Sequence, residues 1–341
     1  MKKLIILAAA FALVASFALT AAAAEWNFYG SARMQTWSDN VEKTGVKDDR
    51  DTTWDVQGNS RIGATVKVSD TMVGAFEYGT GVNLRKLYGE WNFGAGKLLA
   101  GQTYTPASSM FYSNQVYGQD NDLLNCGQAY IGRIPMLQLT FGTLKIAFVR
   151  PNTSTPAGLT GDQDITLPKL EASYQLKMDN FFVDIYGGYQ TYEVASVDIN
   201  SYLVGVGGGA DFGAAFVKAN VYMAQNGKAY GLSGLGNSSL GYDAVKNDIV
   251  DMDTLGYLLV AGFKVSDTVT IEAGYGAIQH ELDVSGSKED DAATYYLNAS
   301  ITLAPGVFVV PEIGVVDLKD TAAGADEGKT TYFGAKWQMN F

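Results

Sequence analysis

Apolar residues at every second position are the feature that most constrains what this chain can fold into. In the segment YYLNASITL, residues Tyr295, Leu297, Ala299, Ile301 and Leu303 alternate with mainly polar neighbours. A period of two places successive side chains on opposite faces of an extended strand. The alternation recurs beyond residue 24, where no apolar stretch approaches the ~20 residues that a membrane-spanning helix needs. The sequence therefore predicts an all-β protein.

Sixteen segments carry this pattern, and the connections between them alternate in length. The predicted strands are residues 27–37, 54–68, 71–79, 82–93, 96–104, 129–141, 143–150, 167–177, 180–192, 198–212, 214–225, 253–265, 268–280, 293–304, 306–317 and 329–341. Short turns on one side, long loops on the other and an even strand count are typical of a sixteen-stranded antiparallel transmembrane β-barrel. Such a sheet must close on itself because hydrocarbon offers its backbone no hydrogen-bond partners. A large exported β-sandwich is the soluble alternative, although it needs no alternation of loop lengths.

The first 24 residues have the composition of a cleavable signal peptide. Lys2 and Lys3 precede an apolar run over residues 4–19, and small residues follow up to Ala24. A charged start, a short apolar run and an A-x-A ending characterise secretory signals. We therefore expect residues 1–24 to be removed and residues 25–341 to form one barrel domain. A retained membrane helix is the alternative, and the short run argues against it.

The last predicted strand, TTYFGAKWQMNF, has one apolar face. Phe333, Ala335, Trp337, Met339 and Phe341 share one parity, and polar residues or glycine dominate the other. We expect this strand to close the barrel against the first strand, WNFYGSARMQTW. Its aromatic residues would then belong to the girdle at the membrane interface, with Phe341 at the periplasmic rim.

Charge and composition exclude several classes of function. Loss of Lys2 and Lys3 leaves 22 basic against 36 acidic residues, a formal charge of −14. This balance disfavours nucleic acid as a partner, because phosphate binding needs basic patches. The chain has one histidine, His280, and one cysteine, Cys126, so no metal site is expected from these residue types. No nucleophile and base stand out either, and we expect neither an enzyme nor a cofactor.

Three segments resemble a known family. NFYGSARMQTW (27–37) is similar to the first strand of the general porins of Gram-negative outer membranes, with its aromatic-Tyr-Gly start. GNSRIGATVKVSDTMVGAFEYGTG (58–81) is similar to the S-R-[LI]-G second strand, short turn and third strand of that family. LRKLYGEWNFGAGKLLAGQTYTP (84–106) resembles the hairpin that leads into the family's third loop. The resemblance implies a homotrimer of sixteen-stranded barrels, each with a water-filled pore.

The resemblance also implies a set of pore residues. In that family the third long loop folds inward and narrows the pore, and the matching segment here, residues 106–128, carries Asp120 and Asp122. Acidic residues of the loop face arginines of the barrel wall, and the motif arginine falls on Arg61. Strand parity agrees for Arg61 and places Arg33 on the same polar face. The placement of Arg85 in the pore rests on the resemblance alone. Its strand parity is that of the apolar Leu87 and Trp91, so it can face the pore only if a bulge intervenes.

The expected function is that of an outer-membrane porin for the passive diffusion of small hydrophilic solutes and ions. Arg33 and Arg61 nearly balance Asp120 and Asp122, so the acidic mouth predicts a weak preference for cations. The alternative is a substrate-specific channel of the same barrel type, for a sugar or an oxyanion, which pore-lining aromatic residues would favour. The expected partners are two further copies of the chain, outer-membrane lipids and lipopolysaccharide, and, during biogenesis, the barrel assembly machinery. Trp337, Met339 and Phe341 resemble the recognition signal of that machinery.

Overall fold

The structure is a computed structural model that describes residues 24–45, 49–120, 122–237 and 239–341, with the backbone alone at Asp122. The expected signal peptide, except Ala24, therefore lies outside the described residues. Among the described residues, no helix is long and apolar enough to cross a membrane.

Antiparallel strands make up nearly all of the regular structure. In chain order they are β1 (Glu25–Glu42), β2 (Asp49–Val56), β3 (Arg61–Lys67), β4 (Met72–Gly79), β5 (Leu84–Asn92), β6 (Lys97–Tyr104), β7 (Arg133–Phe141), β8 (Leu144–Val149), β9 (Gln163–Asp164), β10 (Lys169–Lys177), β11 (Phe181–Val194), β12 (Val197–Asp211), β13 (Ala215–Gln225), β14 (Gly241–Asp243), β15 (Asp248–Val250), β16 (Met252–Lys264), β17 (Val269–Leu282), β18 (Asp290–Ala304), β19 (Val307–Asp317) and β20 (Lys329–Asn340). Four helical turns of three or four residues lie in the connections: Pro106–Ser108, Tyr117–Asp120, Asp122–Asn125 and Gly227–Tyr230.

These strands form a closed barrel with sixteen wall strands. β2 and β3 are two halves of one wall strand, since both pair with β1 on either side of a break at residues 57–60. β9, β14 and β15 belong to the long connections, and each of the others pairs with its two neighbours in the wall. β20 completes the ring on β1, with Ser31 opposite Asn340 and Glu42 opposite Lys329. The predicted sixteen-stranded barrel is confirmed.

The alternation read from the sequence appears as two faces of the wall. One parity of each strand is exposed and largely apolar, for example Phe28, Ile62 and Leu259, which are 70, 60 and 57% exposed. The other parity points into the barrel and carries charged, amide and hydroxyl groups together with buried tyrosines. An apolar exterior around a polar interior is the pattern of a sheet that faces lipid outside and water inside.

The connections alternate in length over most of the barrel, although 80–83 and 195–196 on the longer side are as short as the turns. Turns of two to four residues, such as 142–143 and 305–306, lie at one end of the barrel, and longer connections such as 105–132 and 226–251 lie at the other. The connection predicted at 38–53 is much shorter, because β1 continues to Glu42 and β2 begins at Asp49. These strand ends are polar, so apolar periodicity did not mark them, but their backbone pairing continues from Met34 opposite Val56 to Val41 opposite Asp49.

Candidate functional site

The connection between β6 and β7, residues 105–132, is hydrogen-bonded to the inward parity of one arc of the wall. Four buried carboxylates from β10, β11, β17 and β19 accept hydrogen bonds from it: those of Glu171, Asp184, Glu272 and Glu312. The amide of Ala107 donates to Glu171 at 3.2 Å, and the hydroxyl of Tyr112 donates to Asp184 at 2.9 Å. Backbone donors buried away from water need such acceptors. The acidic side chains of this arc therefore fix the connection in place.

Glu312 is the most fully engaged of these anchors. Its Oε1 accepts hydrogen bonds from the amide of Tyr117 at 3.1 Å and the hydroxyl of Tyr332 at 3.0 Å. Its Oε2 accepts from the amide of Val116 at 2.8 Å and from Nδ2 of Asn298 at 3.0 Å. Four donors on two oxygens use the full acceptor capacity of a carboxylate, which only the ionised group provides.

The opposite arc of the wall is basic and borders an open cavity of about 520 Å³. Among the side chains that the structure describes, five cations and one anion line this cavity: Arg33, Arg61, Arg85, Arg133, Lys336 and Asp120. The cations come from β1, β3, β5, β7 and β20, which span one continuous arc across the closure. Loop residues such as Phe111, Asn114 and Gln119 form the facing side. The space left by the connection is thus lined mainly by positive charge.

The Asp120 carboxylate lies directly on this basic arc. It forms an ion pair with Arg33, and its Oδ1 accepts a hydrogen bond from Nζ of Lys336 at 3.1 Å. Nδ2 of Asn59 donates to its Oδ2 at 2.9 Å and to the carbonyl oxygen of Gln119 at 2.7 Å. Both oxygens of Asp120 are therefore bound by groups of β1, β20 and the break in the second wall strand.

A second cluster gathers around the buried carboxylate of Glu77 on β4. Nε of Arg85 donates to its Oε1 at 2.7 Å, and Nη1 of Arg61 lies 3.7 Å from the same oxygen. Nζ of Lys86 lies 3.5 Å from Oε2, which also accepts from the hydroxyl of Tyr29 at 3.0 Å. Three cations around one anion leave this part of the wall with a net positive charge.

A register shift explains how Arg85 reaches this cluster. Glu77 pairs with Lys86, whereas the next residue, Tyr78, pairs with Leu84, so Arg85 is the extra residue of a bulge. A bulge lets two successive side chains face the same side of a sheet. The bulge that the sequence required for an inward Arg85 is present, and it brings Arg85 to the side on which Lys86 already lies by strand parity.

Arg133 has no ion-pair partner among the residues that the structure describes. Its Nη1 donates to the hydroxyl of Tyr104 at 2.9 Å, and its guanidinium lies 5.0 Å from the centre of that ring. Tyr104 packs edge-on against Phe111 at 5.1 Å and lines the cavity with Tyr130. Arg133 therefore presents an uncompensated charge, held in place by an aromatic ring.

The predicted pore residues divide into two groups. Arg33 meets Asp120 as the sequence analysis expected, whereas Arg61 and Arg85 converge on Glu77 instead of a loop acid. The side chain of Asp122 lies outside the described residues. Sequence reasoning missed Lys336, Glu77, Lys86 and Arg133. The inward parity of the last strand was enough to find Lys336, but the partners of the others depend on which strands become neighbours.

Several other expectations can be placed. Trp337, Met339 and Phe341 carry exposed outward side chains, 47, 60 and 76% exposed. His280 is buried, with Nδ1 beside the hydroxyl of Thr254 and Nε2 beside the carbonyl oxygen of Leu235, each at 2.9 Å. Tyrosines lie on both sides of the wall. Tyr174 and Tyr275 carry exposed outward side chains, whereas many others are buried on the inner side, including Tyr112, Tyr186, Tyr222, Tyr230, Tyr296 and Tyr332.

Comparison with solved structures identifies the fold. The outer membrane channel DcaP of Acinetobacter baumannii superposes with a TM-score of 0.72 at 16% identity, over 93% of this chain and 97% of that one. The anion-selective porin from Comamonas acidovorans gives 0.66 at 12% identity, over 93% and 100% of the two chains. The trimer form of OmpT, an outer membrane protein of Vibrio cholerae, gives 0.60 at 16% identity, over 92% and 99%. No family model and no curated protein matches the sequence. The chain thus has the sixteen-stranded barrel fold of the outer-membrane porins.

Proposed function

We propose that the protein is an outer-membrane channel through which small hydrophilic solutes and ions diffuse passively, with a preference for anions. The observation that carries this proposal is the charge of the open cavity, where the described side chains that face the space beside the connection 105–132 include five cations and one anion. The barrel fold, shared with outer-membrane porins, supports the location and the transport role. A channel also accounts for the polar lining better than an enzyme does.

Charges closest to a passing ion dominate selectivity, because charges beyond the Debye length of ~10 Å at 0.1 M salt are screened. The carboxylates of Glu171, Asp184, Glu272 and Glu312 are buried beneath the loop they anchor and are hydrogen-bonded to it. The arginines and Lys336 border the open space. The weak cation preference expected from the sequence set Arg33 and Arg61 against two loop acids, Asp120 and Asp122, and assigned the remaining preference to the acidic mouth. That prediction left out Arg133 and Lys336. With these two cations included, we propose that the charge along the open space favours anions instead of cations.

The experiment for passive transport is swelling of proteoliposomes. Liposomes that contain the protein should swell in an isotonic sugar solution at a rate that falls with the size of the sugar, since the pore discriminates by size. Liposomes made with heat-unfolded protein are the control. Rates equal to this control, or rates independent of sugar size, would contradict the proposal of a diffusion pore.

We also propose a homotrimer that contacts lipid and lipopolysaccharide through its apolar exterior and is delivered by a cleaved signal peptide. The trimer form of the OmpT neighbour supports the assembly state. Native mass measurement in a mild detergent should give three times the mass of one chain. A monomeric mass, together with monomer migration on an unheated gel, would contradict the trimer.

The second candidate is a channel specific for an oxyanion, and the basic cavity favours it over a sugar channel. Arg133 on Tyr104 and the cluster around Glu77 offer charged donors on a fixed scaffold. A specific channel would show a conductance that saturates with one oxyanion and not with chloride. Conductance linear in both anions would leave general diffusion as the function.

A further inference from the structure

We infer that Asp120 is a resident and exchangeable ligand of a carboxylate site on the barrel wall, and that a carboxylate solute enters this site by displacing it. The inference rests on the proposed channel function and goes beyond it. The site consists of Arg33, Lys336 and Asn59, which bind both oxygens of the Asp120 carboxylate. The wall thus already holds a carboxylate at the border of the open cavity, and this carboxylate belongs to the loop.

The geometry of the donors explains why the site suits a carboxylate. A guanidinium and an ammonium approach different oxygens of Asp120, and the amide of Asn59 adds a third donor. Charge-assisted hydrogen bonds of this kind are the strong ones, and their directions match a planar carboxylate. Arg33, Asn59, Lys336 and Asp120 all line the cavity, so the site is open to a solute.

The backbone that delivers Asp120 is strained, which favours exchange. Gly118, Gln119 and Asp120 follow each other with φ values of 58°, 67° and 65°. The left-handed region is unfavourable for non-glycine residues and persists only where the surroundings impose it. Here the contacts of Asp120 and the bond from Asn59 to the Gln119 carbonyl impose it. Release of Asp120 relieves this strain, whereas a free solute carboxylate occupies the site without it.

Asp120 is tethered beside the site and competes with any solute that binds there. This competition lowers the apparent affinity for the solute, and its strength depends on the effective concentration of the tethered group, which is about millimolar for short flexible connections. Carboxylates then pass along this cavity by exchange with Asp120, and none binds tightly enough to block it. Neutral solutes do not take part in the exchange.

The test is single-channel conductance in planar bilayers as a function of acetate concentration. Asp120→Asn removes the resident charge and should lower the half-saturating acetate concentration by about tenfold, or about 1.4 kcal/mol. Glu90→Gln is the control, because Glu90 lines another part of the lumen and pairs with Lys97 at 2.9 Å. Glu90→Gln removes one negative charge without touching the site, and it should change the half-saturating acetate concentration less than about twofold.

A second variant separates exchange from a general field effect. Gln57→Leu changes no charge and leaves Arg33, Asn59 and Lys336 in place, but it removes the hydrogen bond from Nε2 of Gln57 to the carbonyl oxygen of Val116 at 3.0 Å, which holds the loop segment that leads to Asp120. If Asp120 exchanges with acetate, this variant should also have a lower half-saturating acetate concentration. If the charge of Asp120 acts only through its field, the half-saturating concentration should not change. The double variant Asp120→Asn with Lys336→Gln should lose most of the decrease in half-saturating acetate concentration that Asp120→Asn alone produces, because the site itself is then damaged.

The inference is overturned if Gln57→Leu leaves the acetate dependence unchanged, or if Asp120→Asn and Glu90→Gln shift it equally. A wild-type protein that conducts no ions would refute the proposed channel function instead. A conducting, anion-preferring channel whose variants fail these tests would refute this inference alone.

Discussion

The ring of Phe341 packs directly over the backbone of Gly30, and the two residues join the ends of the barrel wall. Their backbones exchange hydrogen bonds, from the Gly30 amide to the Phe341 carbonyl oxygen at 2.6 Å and from the Phe341 amide to the Gly30 carbonyl oxygen at 3.1 Å. A Cβ atom at Gly30 would lie 2.4 Å from Cε2 of Phe341. A side chain at position 30 would therefore push the ring aside, and with glycine there the ring covers the closing seam between β1 and β20.

Deletion of Phe341 should reduce the amount of folded protein in the outer membrane much more than it changes the conductance of the channels that form. The deletion removes two seam hydrogen bonds and the ring over Gly30, and neither lines the cavity. Gly30→Val should act similarly because it displaces the ring. Gly89→Ala is the matched control on an outward strand position, where a Cβ would meet only Met72 Cε at 3.4 Å. Surface levels of the deletion variant equal to those of the wild type would contradict the role of the seam.

Glu312→Gln should loosen the connection 105–132 and increase both open-channel current and its noise. The amide has one acceptor oxygen, so two of the four donors around Glu312 would face an NH₂ group. Each buried donor left unpaired costs about 1–3 kcal/mol. Single-channel recording measures the effect, with the exposed Glu281→Gln as the control. Conductance and noise equal to those of the wild type would show that Glu312 does not hold the loop.

Arg133→Gln should weaken the preference for anions without destabilising the barrel. Arg133 has no ion-pair partner among the described residues, so its removal strands no carboxylate. A unit charge about 5 Å from an ion in water contributes on the order of 0.8 kcal/mol, so with screening we expect the anion-to-cation permeability ratio to fall roughly threefold. Arg150→Gln, at an exposed position just beyond β8, is the control. Equal reversal potentials for the two variants would place Arg133 away from the ion path.

Glu77→Gln should have the opposite effect on selectivity and a cost in stability. It removes the carboxylate shared by Arg61, Arg85 and Lys86, so the wall becomes more positive and the anion preference should rise. The mutual repulsion of these cations should lower the temperature at which the barrel unfolds in detergent. Reversal potentials and unfolding temperatures measure the two effects. An unchanged selectivity together with an unchanged unfolding temperature would contradict the importance of this cluster.

The barrel could be predicted from the sequence because lipid imposes a simple rule on each strand. The outward parity must be apolar, as at Tyr295, Leu297 and Ile301, and the alternation survives whatever the inner face contains. Strand ends beyond the apolar band, such as residues 38–42, follow no such rule, and the predicted loop at 38–53 was therefore too long.

The charge balance of the cavity could not be predicted in the same way. The sequence placed Arg33 and Arg61 inside by parity, but it did not reveal which side of the barrel the connection 105–132 would cover. That depends on hydrogen bonds between residues distant in sequence, such as Val116 with Glu312 and Ala107 with Glu171. The loop covers the acidic arc and leaves the basic arc open, so Asp120 is the one acidic group among the described side chains that faces the five cations of the cavity.

The reversal potential of the wild-type channel in a potassium chloride gradient shows whether the open side of the lumen selects anions. We expect the sign of a chloride-preferring pore, with a preference that strengthens as salt falls from about 1 M to about 0.1 M and the Debye length grows from about 3 Å to about 10 Å. A reversal potential of the opposite sign, with potassium favoured at both concentrations, would contradict this account of the cavity.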